Sequence, residues 1–132
     1  MALPFPHRQA EPVSNAAVLY LHGIFQGLGE ERLHVVFYDR YDRYVHDRTL
    51  VIGCAGSMCL KGRLLLQEAF ARQAHGIVLA HNHLSGVCRP SAADIESTRR
   101  LSALCSQVDI TLIDHLIFTR DRGFSMRLGG YL

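Results

Sequence analysis

The sequence contains no apolar run approaching the roughly 18 residues that a membrane-spanning helix needs. Its first residues, MALPFPHRQAEP, also lack the basic segment followed by an apolar core that is typical of a secretory signal peptide. We therefore expect a cytoplasmic protein without a membrane partner.

The chain also has almost no excess of charge of either sign. Its 14 lysines and arginines balance 12 aspartates and glutamates and leave a net charge of +2. The longest basic run is the pair Arg99 and Arg100. Nonspecific nucleic-acid binding depends on a basic surface that attracts phosphates. The composition therefore does not call for a nucleic-acid partner, and DNA stays an open alternative.

Cysteine is present but not in a metal-binding pattern. The four cysteines, Cys54, Cys59, Cys88 and Cys105, are too irregularly spaced for a paired Cys-x-x-Cys zinc clamp. In a reducing compartment a disulfide framework is also not expected. The sequence favours free thiols, with Cys88 near enough to two histidines to act as an incidental ligand.

Proline is scarce, and three of the four prolines fall within residues 1–13, which predicts an irregular N-terminal lead-in there. No linker, repeat or low-complexity segment divides residues 14–132, which predicts a single domain. With 48% hydrophobic residues the chain can bury one core without disulfides.

Hydrophobic periodicity predicts the order of helices and strands. The predicted elements are a helix capped by Ser14 and ending near Gly27 or Gly29, a strand hairpin over 33–39 and 44–54, a helix over 61–75 stopped by Gly76, a strand over 76–83, a helix over 91–108, and two strands over 109–119 and 124–128. Their order predicts an α/β sandwich with a mixed sheet between helices.

Apolar spacing also predicts which residues of two helices face the core. The expected inward residues are Leu65, Leu66, Ala69 and Phe70 in the second helix, and Ile95, Leu101, Leu104, Cys105 and Val108 in the third.

The stretch HNHLSGVCRPSAAD, residues 81–94, contains the candidate metal ligands of the chain. Residues two apart on a strand project from one face, so His81 and His83 would lie roughly 6 to 7 Å apart at their Cα atoms. Asn82 would point the other way. A glycine loop could fold Asp94, in the first turn of the following helix, back over the strand end.

Two imidazoles and one carboxylate form a ligand set that suits zinc and leaves a fourth position for water. Zinc lowers the pKa of such a water to about 7 and so supplies hydroxide at neutral pH. A second interpretation also fits the residues, because Ser91-x-x-Asp94 resembles a capping box in which Asp94 only satisfies backbone donors.

A hydrolase also needs a general base near the metal-bound water. Glu31 is the candidate, because it directly precedes the strand LHVVFYD, which can lie beside the strand that carries the histidines. Glu30 is the neighbouring alternative, and only one of the two can point inward. Glu68 lies in the middle of a helix, where an exposed charge is expected.

The pattern Glu31, His81-x-His83, seven residues, Ser91, two residues, Asp94 resembles the JAMM (MPN+ or JAB) zinc metallopeptidases. The longer blocks are similar to the RadC-like branch of that family over roughly residues 14 to 128. These blocks are ERLHVVFYD, AHNHLSG, RPSAADIESTRRL and LIDHLIF.

The resemblance implies a cytidine-deaminase-like (JAB/MPN) α/β fold and one zinc ion per chain held by His81, His83 and Asp94. It implies that Glu31 takes the proton from the zinc-bound water and that Ser91 helps stabilise the oxyanion of the tetrahedral intermediate. It also implies that the substrate is a peptide or protein cut at a peptide or isopeptide bond.

The chain departs from the branch at Leu84, where proline is usual, and at Val87-Cys88-Arg89, where an acidic or amide residue usually follows the glycine. Proline would fix φ and leucine does not, so these changes bear on the rigidity of the loop. Asp114 and His115 match a further motif of the branch and are candidates for contacts behind the ligands.

Three functions compete at this point. The first is a zinc-dependent hydrolase, and the second is a nuclease, suggested only by the letters HNH, which HNH nucleases disperse over a ββα unit. The third is a non-catalytic or DNA-associated binding module of the RadC-like type. A homo-oligomer formed through exposed strand edges is compatible with each.

Overall fold

The computed structural model describes residues 13–52 and 62–132. The helices of this part are α1 (Asn15–Phe25), α2 (Gly62–Ala71) and α3 (Ala92–Ser106); the strands are β1 (Arg32–Tyr38), β2 (Tyr44–Ile52), β3 (Gly76–Asn82), β4 (Thr111–Phe118) and β5 (Gly123–Ser125). Residues 1–12 of the predicted lead-in, the predicted strand end at 53–54, the first residue of the 61–75 helix, and Cys54 and Cys59 lie outside the described residues.

The five strands form one mixed sheet in the order β2-β1-β3-β4-β5. β1 is antiparallel to both β2 and β3, β3 is parallel to β4, and β4 is antiparallel to β5. This confirms the predicted α/β fold with a mixed sheet, and it places β3, the strand that carries the histidines, at the centre.

Helices cover both faces of the sheet, as the sandwich prediction requires. On one face, α2 and α3 pack over the side chains Leu33, Val35, Phe37, Ile77 and Leu79. On the other face, α1 packs over Val36, Val78, Ala80, Leu116 and Phe118. Each fully buried Leu, Ile, Val or Phe side chain contributes about 1.5–3 kcal/mol of hydrophobic free energy, so both cores stabilise the central strand.

The start of α1 follows the prediction and its end does not. Ser14 is the N-cap, and its hydroxyl accepts a hydrogen bond from the Ala17 N–H at 3.2 Å. The helix ends at Phe25, before Gly27, which adopts a left-handed φ of 72° in the loop beyond it.

Among the described residues no helix is both long and apolar enough to cross a membrane.

The prediction that Gly76 stops the second helix is wrong. α2 ends at Ala71, because Gln73 takes a left-handed φ of 53° and the Ala74 N–H closes the turn onto the Ala69 carbonyl at 2.8 Å. Gly76 instead opens β3, where a Cβ atom would lie 2.8 Å from the side chain of Ile113.

Three side chains predicted to face inward are exposed. Phe70 is 55% exposed because Leu65 and Ala69, four residues apart, define the buried face of α2 and the next residue turns away from it. Leu104 is 41% exposed on the flank of α3, and Val108 is 37% exposed because the helix has already ended at Ser106.

The last two strands are shorter than predicted. Asp109 adopts a left-handed φ of 59°, so β4 begins at Thr111 rather than at residue 109. β5 covers Gly123–Ser125, and the residues after it form a turn in which the Tyr131 N–H donates to the Met126 carbonyl at 2.8 Å.

Candidate metal centre

The end of β3 brings together the three predicted ligands. The Nε2 atoms of His81 and His83 lie 2.8 Å apart. Asp94 Oδ2 lies 3.0 Å from the Nε2 atom of His83 and 3.5 Å from that of His81. These three atoms could hold a metal ion, because all of them lie within 4.8 Å of one another.

The spacing is compatible with zinc. Ligand atoms bound at about 2.0–2.2 Å in a tetrahedron lie roughly 3–3.5 Å from one another, close to the distances found here. Two imidazole nitrogens and one carboxylate oxygen are also a donor set that zinc accepts, and three protein ligands leave one position for another group. The residues present therefore fit the ion.

Asp94 reaches the histidines because of how α3 begins. Ser91 is the N-cap; its hydroxyl accepts the Asp94 N–H at 3.0 Å, and its own N–H donates to Asp94 Oδ2 at 2.9 Å. This is a capping box, so the two interpretations of Ser91-x-x-Asp94 describe one arrangement. The cap fixes the rotamer that directs the carboxylate toward the histidines.

The electrostatics of the cluster keep Asp94 ionised. Burial raises the pKa of this carboxyl, which is 2% exposed, but hydrogen bonds from His81, His83 and the Ser91 N–H outweigh burial and lower the pKa well below its usual value. The hydrogen bond to Asp94 is the main cause of a raised pKa at His83, and the charge of Glu31 adds to it. An ionised carboxylate is the form that binds metal.

Both histidines are held through their Nδ1 atoms. The Nδ1 atom of His83 lies 3.0 Å from the Val87 carbonyl, which can only accept, so this Nδ1 carries the proton. The Nδ1 atom of His81 lies 2.6 Å from His115 Nε2. When His81 donates there and both rings are neutral, the two ligand histidines present unprotonated Nε2 atoms to the same point, as metal binding requires.

His115 therefore contacts a candidate ligand. It is completely buried, and its Nδ1 atom lies 2.7 Å from the Thr98 hydroxyl of α3. Burial lowers the pKa of His115 well below its ordinary value, so the ring is neutral and can accept from His81. Asp114 does not contact the candidate ligands. It accepts hydrogen bonds from the Ser125 hydroxyl and the Arg127 N–H, at and just after the end of β5.

A register shift places the His115 ring on the correct face. The pairing of β3 with β4 shifts by one residue after Ile77, so His115 lies opposite Leu79 on the face that α3 covers. If Ile113 paired with Val78 and the shift were absent, His115 would lie opposite Ala80, on the face that α1 covers, and could not reach His81.

Glu31 and Glu30 have distinct surroundings. Glu31 Oε1 accepts the Leu84 N–H at 3.4 Å, so this carboxylate lies at the start of the loop that follows His83. Glu30 instead forms an ion pair with Arg32 at 2.7 Å. Of the two glutamates, Glu31 therefore lies beside the loop that follows His83, and its role as a base stays a prediction.

Asn82, between the two histidines, holds the segment that carries Glu31. Its Oδ1 atom accepts the Arg32 N–H at 2.7 Å, and its Nδ2 atom donates to the Glu30 carbonyl at 3.0 Å. These are the backbone groups on either side of Glu31, and Asn82 is only 5% exposed. Sequence reasoning noted that Asn82 faces away from the histidines but missed this contact, because it depends on the register between β1 and β3.

The loop after His83 is anchored without the proline that is usual in the branch. Leu84 is 53% exposed, and the loop is held instead by the Val87 contact with His83 and by the Cys88 thiol, which donates to the Ile117 carbonyl at 3.6 Å. Cys88 is not part of the three-residue cluster. Cys88 and Cys105 are free thiols, as predicted.

Comparison with known proteins places these features in a family. Residues 12–131 match the model of the RadC-like JAB domain. The chain is similar to the UPF0758 protein YsxA of Bacillus subtilis, with 35% identity over 105 residues, which cover 80% of this chain and 46% of that protein. A UPF0758 protein of Vibrio atlanticus is 34% identical over 99 residues, covering 75% of this chain and 44% of the relative. The chain thus spans about half the length of these curated relatives.

Proposed function

The chain belongs to the RadC-like JAB domain family, and on this premise we propose that it is a zinc-dependent hydrolase of peptide or isopeptide bonds. The observation that carries the proposal is the convergence of His81 Nε2, His83 Nε2 and Asp94 Oδ2 within 4.8 Å. His83 Nδ1 donates outward to the Val87 carbonyl, and His81 Nδ1 can donate to His115.

Zinc bound by His81, His83 and Asp94 would lower the pKa of a coordinated water to about 7 and polarise a carbonyl group. The remaining work falls to residues of the chain. The Glu31 carboxylate accepts a proton from the attacking water and returns it to the departing amine, the role of a general base and then a general acid.

Ser91 fits the role of an oxyanion donor. Its hydroxyl oxygen accepts the Asp94 N–H, and a hydroxyl that accepts one hydrogen bond can still donate its own proton. Donated to the carbonyl oxygen as negative charge develops there, that proton stabilises the transition state. The same residue then fixes Asp94 and stabilises the oxyanion.

The proposal is tested with two adjacent glutamates. A peptide library and a mixture of lysine-linked isopeptides serve as probes, with release of new amino groups as the readout and zinc content measured in parallel. We expect Glu31→Gln to retain zinc and to lose roughly 10²- to 10⁴-fold in rate, the usual contribution of a general base. Glu30→Gln, the matched control, retains both zinc and activity.

Asn82→Ala provides a second, graded test. It releases both backbone anchors of Glu31, so we expect zinc to stay bound while the rate falls by roughly tenfold or more. Amide cleavage that survives Glu31→Gln unchanged would contradict the proposed base. A wild-type protein that binds zinc and releases no amine from either probe would favour the non-catalytic binding module.

A further inference from the structure

A cleft of about 390 Å³ lies beside the candidate metal centre. One wall is the loop over residues 86–89, which follows β3, and the other is the turn over residues 119–122, which follows β4. β3 and β4 are parallel, and ligands commonly bind at the carboxyl ends of parallel strands. The loop wall also contacts the metal centre, because the Val87 carbonyl accepts the hydrogen bond from His83.

Arginines dominate the charged residues that line the cleft. Arg89, Arg120 and Arg122 line it together with a single carboxylate, that of Asp121. All four residues are exposed. The lining therefore carries an excess of positive charge in a chain whose overall net charge is only +2.

These arginines lack the ion pairs that four other arginines in the described part of the chain form. Four arginines elsewhere form ion pairs with glutamates, namely Arg32 with Glu30, Arg48 with Glu68, Arg72 with Glu68 and Arg100 with Glu96. No ion pair between described residues involves Arg89, Arg120 or Arg122. Their charges are available to a ligand.

The turn over residues 119–122 is held in place through its backbone groups. The Thr119 N–H donates to the Arg122 carbonyl at 3.0 Å and closes the turn. From α1, Gln26 Nε2 donates to the Arg120 carbonyl at 3.1 Å, and His22 Nε2 lies 2.9 Å from the Thr119 carbonyl. The backbone of this turn is preformed, so little backbone ordering is needed when an anion binds.

We propose that this cleft binds an acidic segment of the peptide or protein substrate, next to the bond that is cut. The proposal rests on the proposed function, because that function makes the ligand a peptide. Arginine favours carboxylates through paired N–H donors, and three arginines beside the centre would select substrates with acidic side chains near the scissile bond.

A nucleic acid is the less favoured ligand. Phosphate backbones are followed by extended basic tracks. Here the cleft includes the Asp121 carboxylate, and the four paired arginines outside it are neutralised by glutamates. A short acidic peptide matches the size and the isolated charge of the cleft better.

The test uses fluorescein-labelled hexaglutamate as the probe and fluorescence anisotropy as the readout, with the zinc-loaded full chain. The variant Arg120→Gln/Arg122→Gln removes two charges, and the turn survives because its bonds use backbone carbonyls. The matched control, Arg40→Gln/Arg63→Gln, removes the same charge from two exposed arginines outside the cleft. Labelled hexaglutamine and hexathymidylate complete the set, and zinc content and circular dichroism check each variant.

We expect hexaglutamate to bind roughly tenfold more weakly to the cleft variant, because charge-assisted hydrogen bonds are lost. The control should change binding by less than about twofold at an ionic strength near 0.1 M, where distant charges are screened. Hexaglutamine should bind no better to the wild type than to the cleft variant.

Three results would overturn the inference: no binding of hexaglutamate, equal weakening in both double variants, or tighter arginine-dependent binding of hexathymidylate. None of them requires turnover, and the same titration works with Glu31→Gln. Loss of hydrolysis with intact hexaglutamate binding would therefore reject the proposed function alone. Loss of binding with intact hydrolysis would reject only the acidic specificity.

Discussion

The described residues contain two clusters in which a largely buried histidine meets an aspartate, and they differ in what surrounds the pair. In the candidate metal centre, His83 Nε2 lies 3.0 Å from Asp94. Between β1 and β2, His34 Nε2 lies 2.6 Å from Asp47. By distance alone, the second pair would be the stronger candidate for a functional site.

The second cluster is already saturated. Asp47 accepts hydrogen bonds from the hydroxyls of Tyr20, at 2.7 Å, and Tyr44. The other ring nitrogen of His34 lies 3.0 Å from the Thr49 hydroxyl, so each polar group in the cluster has a partner. This network joins α1, β1 and β2 and has a structural role.

In the tautomers that bind a metal, the candidate metal centre instead directs three acceptor atoms at one another. Two unprotonated Nε2 atoms and a carboxylate oxygen repel each other unless a cation or a proton lies between them. In the metal centre, the Nδ1 atoms of both histidines are hydrogen-bonded away from the point that their Nε2 atoms share. The comparison shows that this arrangement marks a metal site better than a short His–Asp distance does. The following predictions test that distinction.

The largest effect is expected on removing the shared carboxylate of the centre. Asp94→Ala should lower zinc affinity by more than the roughly 100-fold that is seen when only a partner of a ligand is lost. Asp47→Ala, which removes the other aspartate, should retain zinc. Elemental analysis after dialysis measures both, and full zinc occupancy in Asp94→Ala would contradict the metal centre.

A smaller loss of affinity is expected when the support behind His81 is removed. His115→Leu deletes the acceptor 2.6 Å from His81 Nδ1, so zinc affinity should fall by roughly 10- to 100-fold. His115→Gln should recover part of it, and His34→Leu should leave it unchanged. Competition with a chromophoric chelator reports the values; equal affinity in all three variants would remove His115 from the site.

The structural cluster should affect stability and its pH dependence. Burial raises the pKa of Asp47, but hydrogen bonds from Tyr44, Tyr20 and His34 outweigh it, so the pKa is lowered. A lowered carboxyl pKa stabilises the folded state above the unfolded value of about 3.9 and loses that effect as pH falls through the folded value.

Asp47→Asn should therefore cost about 1.5–3 kcal/mol at neutral pH and reduce the fall in stability below about pH 4. Urea unfolding at a series of pH values measures both quantities. A variant with an unchanged pH profile would show that other carboxylates account for the acid sensitivity.

The smallest effects are expected at the two helix caps. Ser14→Ala and Ser91→Ala should each destabilise the metal-free protein by about 0.5–2 kcal/mol. Only Ser91→Ala should also weaken zinc binding, by less than about tenfold, because Ser91 positions Asp94. Urea unfolding and chelator competition measure the two effects, and equal zinc affinity in both variants would separate the cap from the site.

The sequence predicted the features that depend on local spacing. The strand period placed His81 and His83 on one face, and the Ser91-x-x-Asp94 pattern predicted the helix start that directs Asp94 to them. The roles of Glu31 and Ser91 in catalysis stay predictions. Glu31 contacts the Leu84 N–H in the loop after His83, whereas Glu30 pairs with Arg32.

Features that depend on pairing between distant segments were not predicted. The contacts of Asn82 with the segment before β1 need the β1–β3 register, and the contact of Thr98 with His115 needs both the helix position and the shifted strand. Phe70 and Leu104 were wrongly expected inside because apolar character alone does not decide which flank of a helix is covered.

The register shift in β4 means that strand pairing, as well as side-chain chemistry, controls this centre. Deleting Ile113 would let Leu112, Asp114 and His115 pair without interruption with Ile77, Val78 and Leu79, so the imidazole would stay on its side of the sheet. A homologue with all the motif letters and a one-residue gap at this point would therefore keep the buried support for its first histidine.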